Sequence, residues 1–201
     1  LSAPDIAWLS DVTEIKLFDT KFYICSIEDI YSRYVISYTI STTNDSALIA
    51  NTFIDAYAKR NPPYGLIFHS DNGAAFTATA IRALLKSYGI RQSFSRVATP
   101  QDNGHMESFF ATLKKEELYR KTYSSPEEFF HSVQKYIKYY NNFRLHSRLN
   151  YRTPKEVLHE YDELHNQIPF CITFEKKLYL YIPKQALIQA QIFPIIFVHF
   201  L

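Results

Sequence analysis

The first forty residues constrain the fold most, because three β-rich apolar runs follow one another with only short polar breaks. The runs cover about 7–18, 22–28 and 34–40, are dense in Ile, Val, Tyr and Phe, and are separated by Asp19-Thr20-Lys21 and by residues 29–33. Such spacing predicts a meander of antiparallel strands. Asn44 or Asp45 can then cap a helix reaching about residue 59, with Leu48, Ile49, Phe53, Ala56 and Tyr57 on one face. Asn61-Pro62-Pro63-Tyr64-Gly65 ends it, and Leu66-Ile67-Phe68 reads as a short buried strand. A second helix is expected over 77–88, stopping at Gly89, followed by a strand over 90–95. A long helix is expected over 103–120. Another runs to residue 140, with Pro126 in its first turn and Ser125 as its cap. The order β-β-β-α-β-α-β-α-α predicts an α/β fold, a five-stranded mixed sheet with helices on both faces.

Apolar residues make up 47 % and aromatics 16 % of the 201 residues, enough for a sizeable core, so global disorder is not expected. The net charge of +2 says little about partners, and any nucleic-acid argument has to come from where the charges sit. Cys25 and Cys171 belong to no metal-type spacing and read as two reduced thiols. The chain opens on Leu1 in what reads as mid-sequence, so an upstream portion is expected. Residues 186–201 are very apolar, yet Gln189, Gln191, Pro194 and His199 interrupt a stretch already short for a membrane span. They read as a buried or adhesive tail, with a membrane segment as the lesser alternative. The domain division expected is a core over 1–158 and a C-terminal tail of unclear origin over 159–201.

Three acids stand out. Asp11 lies inside the apolar first strand, Asp71 directly follows a strand in His69-Ser70-Asp71-Asn72-Gly73, and Glu107 sits in the first turns of the long helix. A carboxylate within or beside a buried strand is costly unless a cation or hydrogen bonds compensate it. Three such groups could supply hard oxygen ligands for Mg2+ or Mn2+. Taken singly, each has a plainer explanation: a strand-end cap for Asp11, an Asx turn for Asp71, a solvent-facing helix position for Glu107.

Their contexts reverse that balance. The chain resembles the OrfB-type transposases of bacterial insertion sequences, which share the RNase H-like catalytic core of retroviral integrases. The resemblance is carried by Trp8, Asp11 and Thr13 on the first strand and by the His69–Gly73 motif. It continues through Ser93, Ser95, Arg96, Asp102, Asn103, Glu107 and Ser108. Thirty-five residues stand between Asp71 and Glu107, and Lys114 follows the Glu by seven positions, as in that family. Tyr140-Asn141-Asn142-Phe143-Arg144-Leu145-His146 and Thr153-Pro154 match its closing pattern, so the resemblance covers about residues 5–158.

The resemblance implies an RNase H-like fold and metal-dependent cleavage and strand transfer at insertion-sequence ends. Asp11, Asp71 and Glu107 would hold two Mg2+ (or Mn2+) ions. It also implies transposon-end and target DNA as partners, self-association into a multimeric complex and no membrane. The location implied is a bacterial cytoplasm, on the nucleoid when DNA is bound. Seven residues is nearly two helical turns, so Lys114 is expected on the face of Glu107, about 10 Å along the axis, suited to a DNA phosphate. Arg96, Lys115, Arg144, His146 and Arg148 are further expected DNA contacts. Residues 133–155 carry six Lys/Arg with interleaved tyrosines and no acid, which equally suits a helix with an aromatic inner and a basic outer face. His69, Asn72 and Asn103 are expected to support the site, Asn103 as a helix cap.

The chain departs from the family at Ala98, where a Gly is usual. Within these 201 residues neither the family's helix-turn-helix nor a zinc module is read. Two rival readings therefore stay open: a catalytically inactive remnant or DNA-binding derivative of the same fold, and a cellular nuclease.

Overall fold

A computed structural model of the chain describes residues 2–95 and 104–166. Strands β1 (Ala7–Leu17), β2 (Thr20–Asp29) and β3 (Val35–Ser41) form the expected meander. The β1–β2 turn is tighter than the sequence suggested. Phe18 and Asp19 alone make it, at φ of 52° and 55°, the two left-handed residues of a type I′ hairpin. The longer β2–β3 turn is tied by Asp29, whose Oδ2 accepts from both the amide and the hydroxyl of Ser32.

Helix α1 (Ser46–Arg60) is capped by Asp45, which accepts from the Leu48 amide at 3.0 Å. It carries the chain over the sheet to β4 (Ile67–Ser70), which pairs parallel to β1; β5 (Arg91–Phe94) then pairs parallel to β4. The resulting strand order is β3-β2-β1-β4-β5, the mixed five-stranded sheet expected, with β1 at its centre.

Each sheet face has its own core. On one, Trp8, Ile27 and Phe68 pack with Ile49 and Phe53 of α1 and with Ile81 and Leu85. On the other, Leu9, Ile15 and Ile24 pack with Met106, Phe109 and Leu113, and with Phe129, Val133 and Tyr140.

Two expected helices are reshaped by packing. In place of one helix over 77–88 there are α2 (Ala74–Thr77) and α3 (Thr79–Ser87), separated by extended backbone at Ala78. Phe76 and Ile81 are both buried in one core but five residues apart. A continuous α-helix would turn them about 140° from each other, and the break at Ala78 lets both face inward. Likewise the long helix is α-helical only as α4 (Gly104–Leu113) and then opens into a π-helical turn, Lys114–Leu118, closed by the Tyr119 amide on the Lys114 carbonyl at 2.9 Å. Leu113 and Leu118 are again five apart and both buried, and the wider turn reconciles them.

Helix α5 (Pro126–Asn142) starts at the expected Ser125 cap. At its far end the buried Asn141 side chain accepts from the Val35 amide and donates to the Val35 carbonyl, both at 2.9 Å, which pins the helix to β3. Helix α6 (Pro154–Asn166) opens with a reciprocal pair: Glu156 accepts from the Thr153 amide at 2.8 Å, and the Thr153 hydroxyl accepts from the Glu156 amide at 3.2 Å. The boundary expected at Leu158 falls inside α6, and Tyr161 beyond it packs edge-on against Tyr31. Cys25 is buried with its thiol pushed up to about 11 by desolvation, as befits an inert reduced cysteine. Cys171 and the apolar stretch over 186–201 lie outside the described residues. Among those described, no helix is long and apolar enough to cross a membrane.

Candidate active site

Side chains alternate along β1, so Leu9, Asp11, Thr13 and Ile15 share the face covered by α4 and α5, while Trp8 faces α1. In the parallel pairing of β1 with β4, Leu9 stands opposite His69. Two positions further along both chains come Asp11 and Asp71. Asp11 thus lies within β1, two residues past the last pair of the β1–β4 ladder, and Asp71 directly follows the end of β4. The half-buried Asp11 accepts from the Val12 amide at 2.7 Å.

Asp71 is exposed and accepts from the Gly73 amide at 3.0 Å, the Asx turn foreseen for it. Gly73 itself has an ordinary φ of −60°, so conformational freedom is not its purpose. A Cβ there would meet Asp71 Oδ1 at 3.0 Å, so it is the carboxylate that needs the space. His69 stands between two hydroxyls, Ser93 Oγ at 3.0 Å from Nδ1 and Ser95 Oγ at 3.2 Å from Nε2. It thereby ties the strand that delivers Asp71 to β5.

Glu107 is exposed in the first turn of α4, while Met106, Phe109, Phe110 and Leu113 turn into the core. Helix α4 packs on β1 through the shared core of Leu9, Ile15, Met106, Phe109 and Leu113. Its first turn is tied to the turn after β2, where Arg33 donates from Nη2 to His105 Nε2 at 3.0 Å.

Among the described residues, no three His, Cys, Asp or Glu side chains stand close enough together to hold an ion. Asp11 lies on β1, Asp71 just past β4 and Glu107 on the flank of α4, so the expected three-carboxylate cluster is not closed. The donor chemistry nonetheless fits a hard divalent cation, because all three groups offer only carboxylate oxygens. Neither Asp71 nor Glu107 is ion-paired with a described residue.

The expected DNA contacts separate into two sets. Lys114 lies on the Glu107 flank as foreseen, opening the π-helical turn, and Lys115 beside it is exposed. His146 and Arg148 lie instead on the flank of His105, about 160° away around α4. Arg144 is engaged within the fold: its Nη2 donates to Glu116 at 2.8 Å, its Nε to the same carboxylate at 3.0 Å, and Tyr136 adds a third bond at 2.8 Å. Asn72 is exposed beside Asp71. Arg96, Asn103 and Ala98 lie outside the described residues.

Sequence reasoning passed over one group of residues. Glu28 is fully buried on β2, opposite Leu9, with both carboxyl oxygens lacking a hydrogen bond. Burial pushes its carboxyl up to about 8, against the pull of Arg33, whose Nη1 is 3.8 Å away. The signal was available: an acid closing an apolar strand run, next to the polar break expected at 29–33. His105 and His146 are both lowered to about 4, first by burial and then by nearby arginines.

Comparison with known proteins agrees with this architecture. Two models described as "Integrase core domain" match residues 2–100 and 88–154. The transposase of insertion sequence element IS904 from Lactococcus lactis is 35 % identical over 156 residues, covering 77 % of this chain and 62 % of its own length. A transposase-like protein of Haemophilus influenzae is 31 % identical over 156 residues, covering 75 % of this chain and 72 % of its own. The chain therefore spans less than two thirds of the IS904 transposase. In fold, the HTLV-2 integrase catalytic core domain, solved in complex with magnesium, superposes with a TM-score of 0.63 at 21 % identity, over 79 % of this chain and 99 % of the other. With an integrase-core match over nearly all the described residues and insertion-sequence relatives at about one third identity, this chain belongs to the insertion-sequence transposases built on an integrase core.

Proposed function

We propose that the chain is the catalytic core of a transposase that cleaves DNA at insertion-sequence ends and joins those ends to target DNA, with Asp11, Asp71 and Glu107 as ligands to two Mg2+ (or Mn2+) ions. The single observation that carries this reading is the parallel β1–β4 register: Leu9 stands opposite His69, and Asp11 and Asp71 each follow that pair by two residues. Bound divalent ions supply activation of a water or a DNA 3′-hydroxyl and stabilisation of the leaving 3′-oxygen. The chain's own residues do the placing. Asp11, half-buried on the central strand, would be a ligand shared with the other two acids. Asp71 is held by the Gly73 amide, and His69 with Ser93 and Ser95 steadies its strand. Glu107, exposed on the helix that packs against β1, would supply the third carboxylate. Lys114 and Lys115 extend that flank with positive charge suited to backbone phosphate.

The partners proposed are transposon-end DNA, target DNA and further copies of the chain in a multimeric complex, in a bacterial cytoplasm. A strand-transfer assay with end-containing oligonucleotides and Mn2+ tests this reading. Joined products are expected, and Asp11→Asn, Asp71→Asn or Glu107→Gln should each reduce them to background. Nicks without joining would point to a nuclease. No products, or products that persist in the three variants, would overturn the assignment, the former in favour of an inactive remnant.

A further inference from the structure

The flank of α4 opposite Glu107 forms one wall of a cavity of about 660 Å3. The turn after β2 and the segment after α5 complete it, bringing Arg33, Arg144 and Arg148 to its lining, with no Asp or Glu among the lining residues. These arginines are not equivalent. Arg144 has its charge taken up by Glu116 at 2.8 Å. Arg33 has only Glu28 nearby, at 3.8 Å, and that carboxyl, pushed up to about 8 by burial, is mostly protonated at neutral pH. Arg148 is exposed and ion-paired with no described residue. The pocket therefore carries a net positive charge, with the Ser108 hydroxyl on its helical wall.

Its rim is built to hold a shape. Residues 146–152 fold back on themselves through the His146 amide on the Arg152 carbonyl at 3.1 Å and the Tyr151 amide on the His146 carbonyl at 2.9 Å. Leu149 anchors this loop in the core. Asn150 and Tyr151 are consecutive left-handed residues, at φ of 55° and 57°. Asn tolerates that region, but a bulky side chain rarely occupies it, and such strain persists where the surroundings enforce it for a use. What it enforces here is presentation: Tyr151 stands 74 % exposed on the pocket rim, near exposed Leu145.

We propose that this pocket binds a backbone phosphate of a DNA strand, with Arg148 and Arg33 supplying the charge, Ser108 a hydroxyl donor and Tyr151 a stacking surface for the adjoining base. It rests on the reading above that the chain acts on DNA, and adds a second contact across α4 from the three acids. A cation without an acidic partner suits a diester phosphate, and an exposed ring beside it suits a base whose π-face is sequence-independent.

The test is fluorescence anisotropy with single-stranded and duplex oligonucleotides in EDTA, which leaves metal-dependent chemistry out, over a series of salt concentrations. Arg148→Ala should weaken binding roughly 5- to 20-fold and reduce the salt slope by about one. Tyr151→Ala should weaken it at least about 5-fold, while Tyr151→Phe stays within about twofold because the ring is kept. Lys86→Ala, on the other face of the sheet, should leave affinity unchanged, and thermal melting checks that each variant is folded. Wild-type binding that ignores both pocket substitutions would overturn this site while leaving the DNA reading intact. Absence of any wild-type binding would sink both. Inorganic phosphate that raises the melting temperature of wild type but not of Arg148→Ala, with oligonucleotide affinity unaltered, would mark a site for free anions and overturn the assignment to DNA.

Discussion

Glu28 and Asp11 pose the same problem on neighbouring strands, an acid on a sheet face covered by helices, and the fold treats them differently. Asp11 is half-buried and accepts a backbone hydrogen bond from Val12. Glu28 is sealed in without a hydrogen bond and is raised to about 8 by desolvation, an effect the more distant Arg33 does not cancel. Its carboxyl binds a proton more tightly in the folded state than in the unfolded chain, so the stability it contributes is complete below about pH 4.5 and is lost as pH rises through about 8. Denaturant unfolding should accordingly show wild type less stable at pH 9 than at pH 5. Glu28→Gln should narrow that gap by removing the proton-linked part. An equal gap in the variant would mean that Glu28 is already ionised at neutral pH and satisfied by Arg33.

Elements set by neighbouring residues were legible in the sequence; elements set by distant packing were not. The three opening strands, the Asp45 and Ser125 caps and the helix stop at Gly89, which adopts φ of 69°, all follow from local patterns and are found where expected. The break at Ala78 and the π-helical turn at Lys114–Leu118 were invisible, because each serves two buried residues five apart whose shared core exists only once the sheet is built. The active-site strands could be read from motif context. The Arg33–His105 bond that locates α4 could not, since 72 residues separate its partners. Asn141 makes the same point: the closing motif marked it, but only the fold shows that it satisfies both backbone groups of Val35. Asn141→Leu leaves a buried amide and a buried carbonyl unpaired and should cost about 2–4 kcal/mol in urea unfolding. A loss below about 1 kcal/mol would mean that Val35 finds other partners.

For the molecule as a whole, ligand sites and stability are one quantity. If Asp11, Asp71 and Glu107 hold divalent ions only in the folded chain, Mg2+ or Mn2+ at about 100 times its dissociation constant should add roughly 2.7 kcal/mol, a rise of about 5–10 °C in melting temperature. Asp71→Asn should abolish most of that rise, and a rise preserved in the variant would place the ion elsewhere. The strand order β3-β2-β1-β4-β5 carries a kinetic consequence as well. Strands β1 to β3 meet through short reversals, but β4 reaches β1 only after the whole of α1 has been laid down, so its loop-closure entropy is larger. Substitutions that weaken the meander should slow refolding, whereas those in β4 and β5 should chiefly hasten unfolding. On the proposed reading, the two aspartates would come into position among the last events on the folding pathway, and a chain still emerging from the ribosome, or one stalled part-way to the native state, would lack an assembled centre.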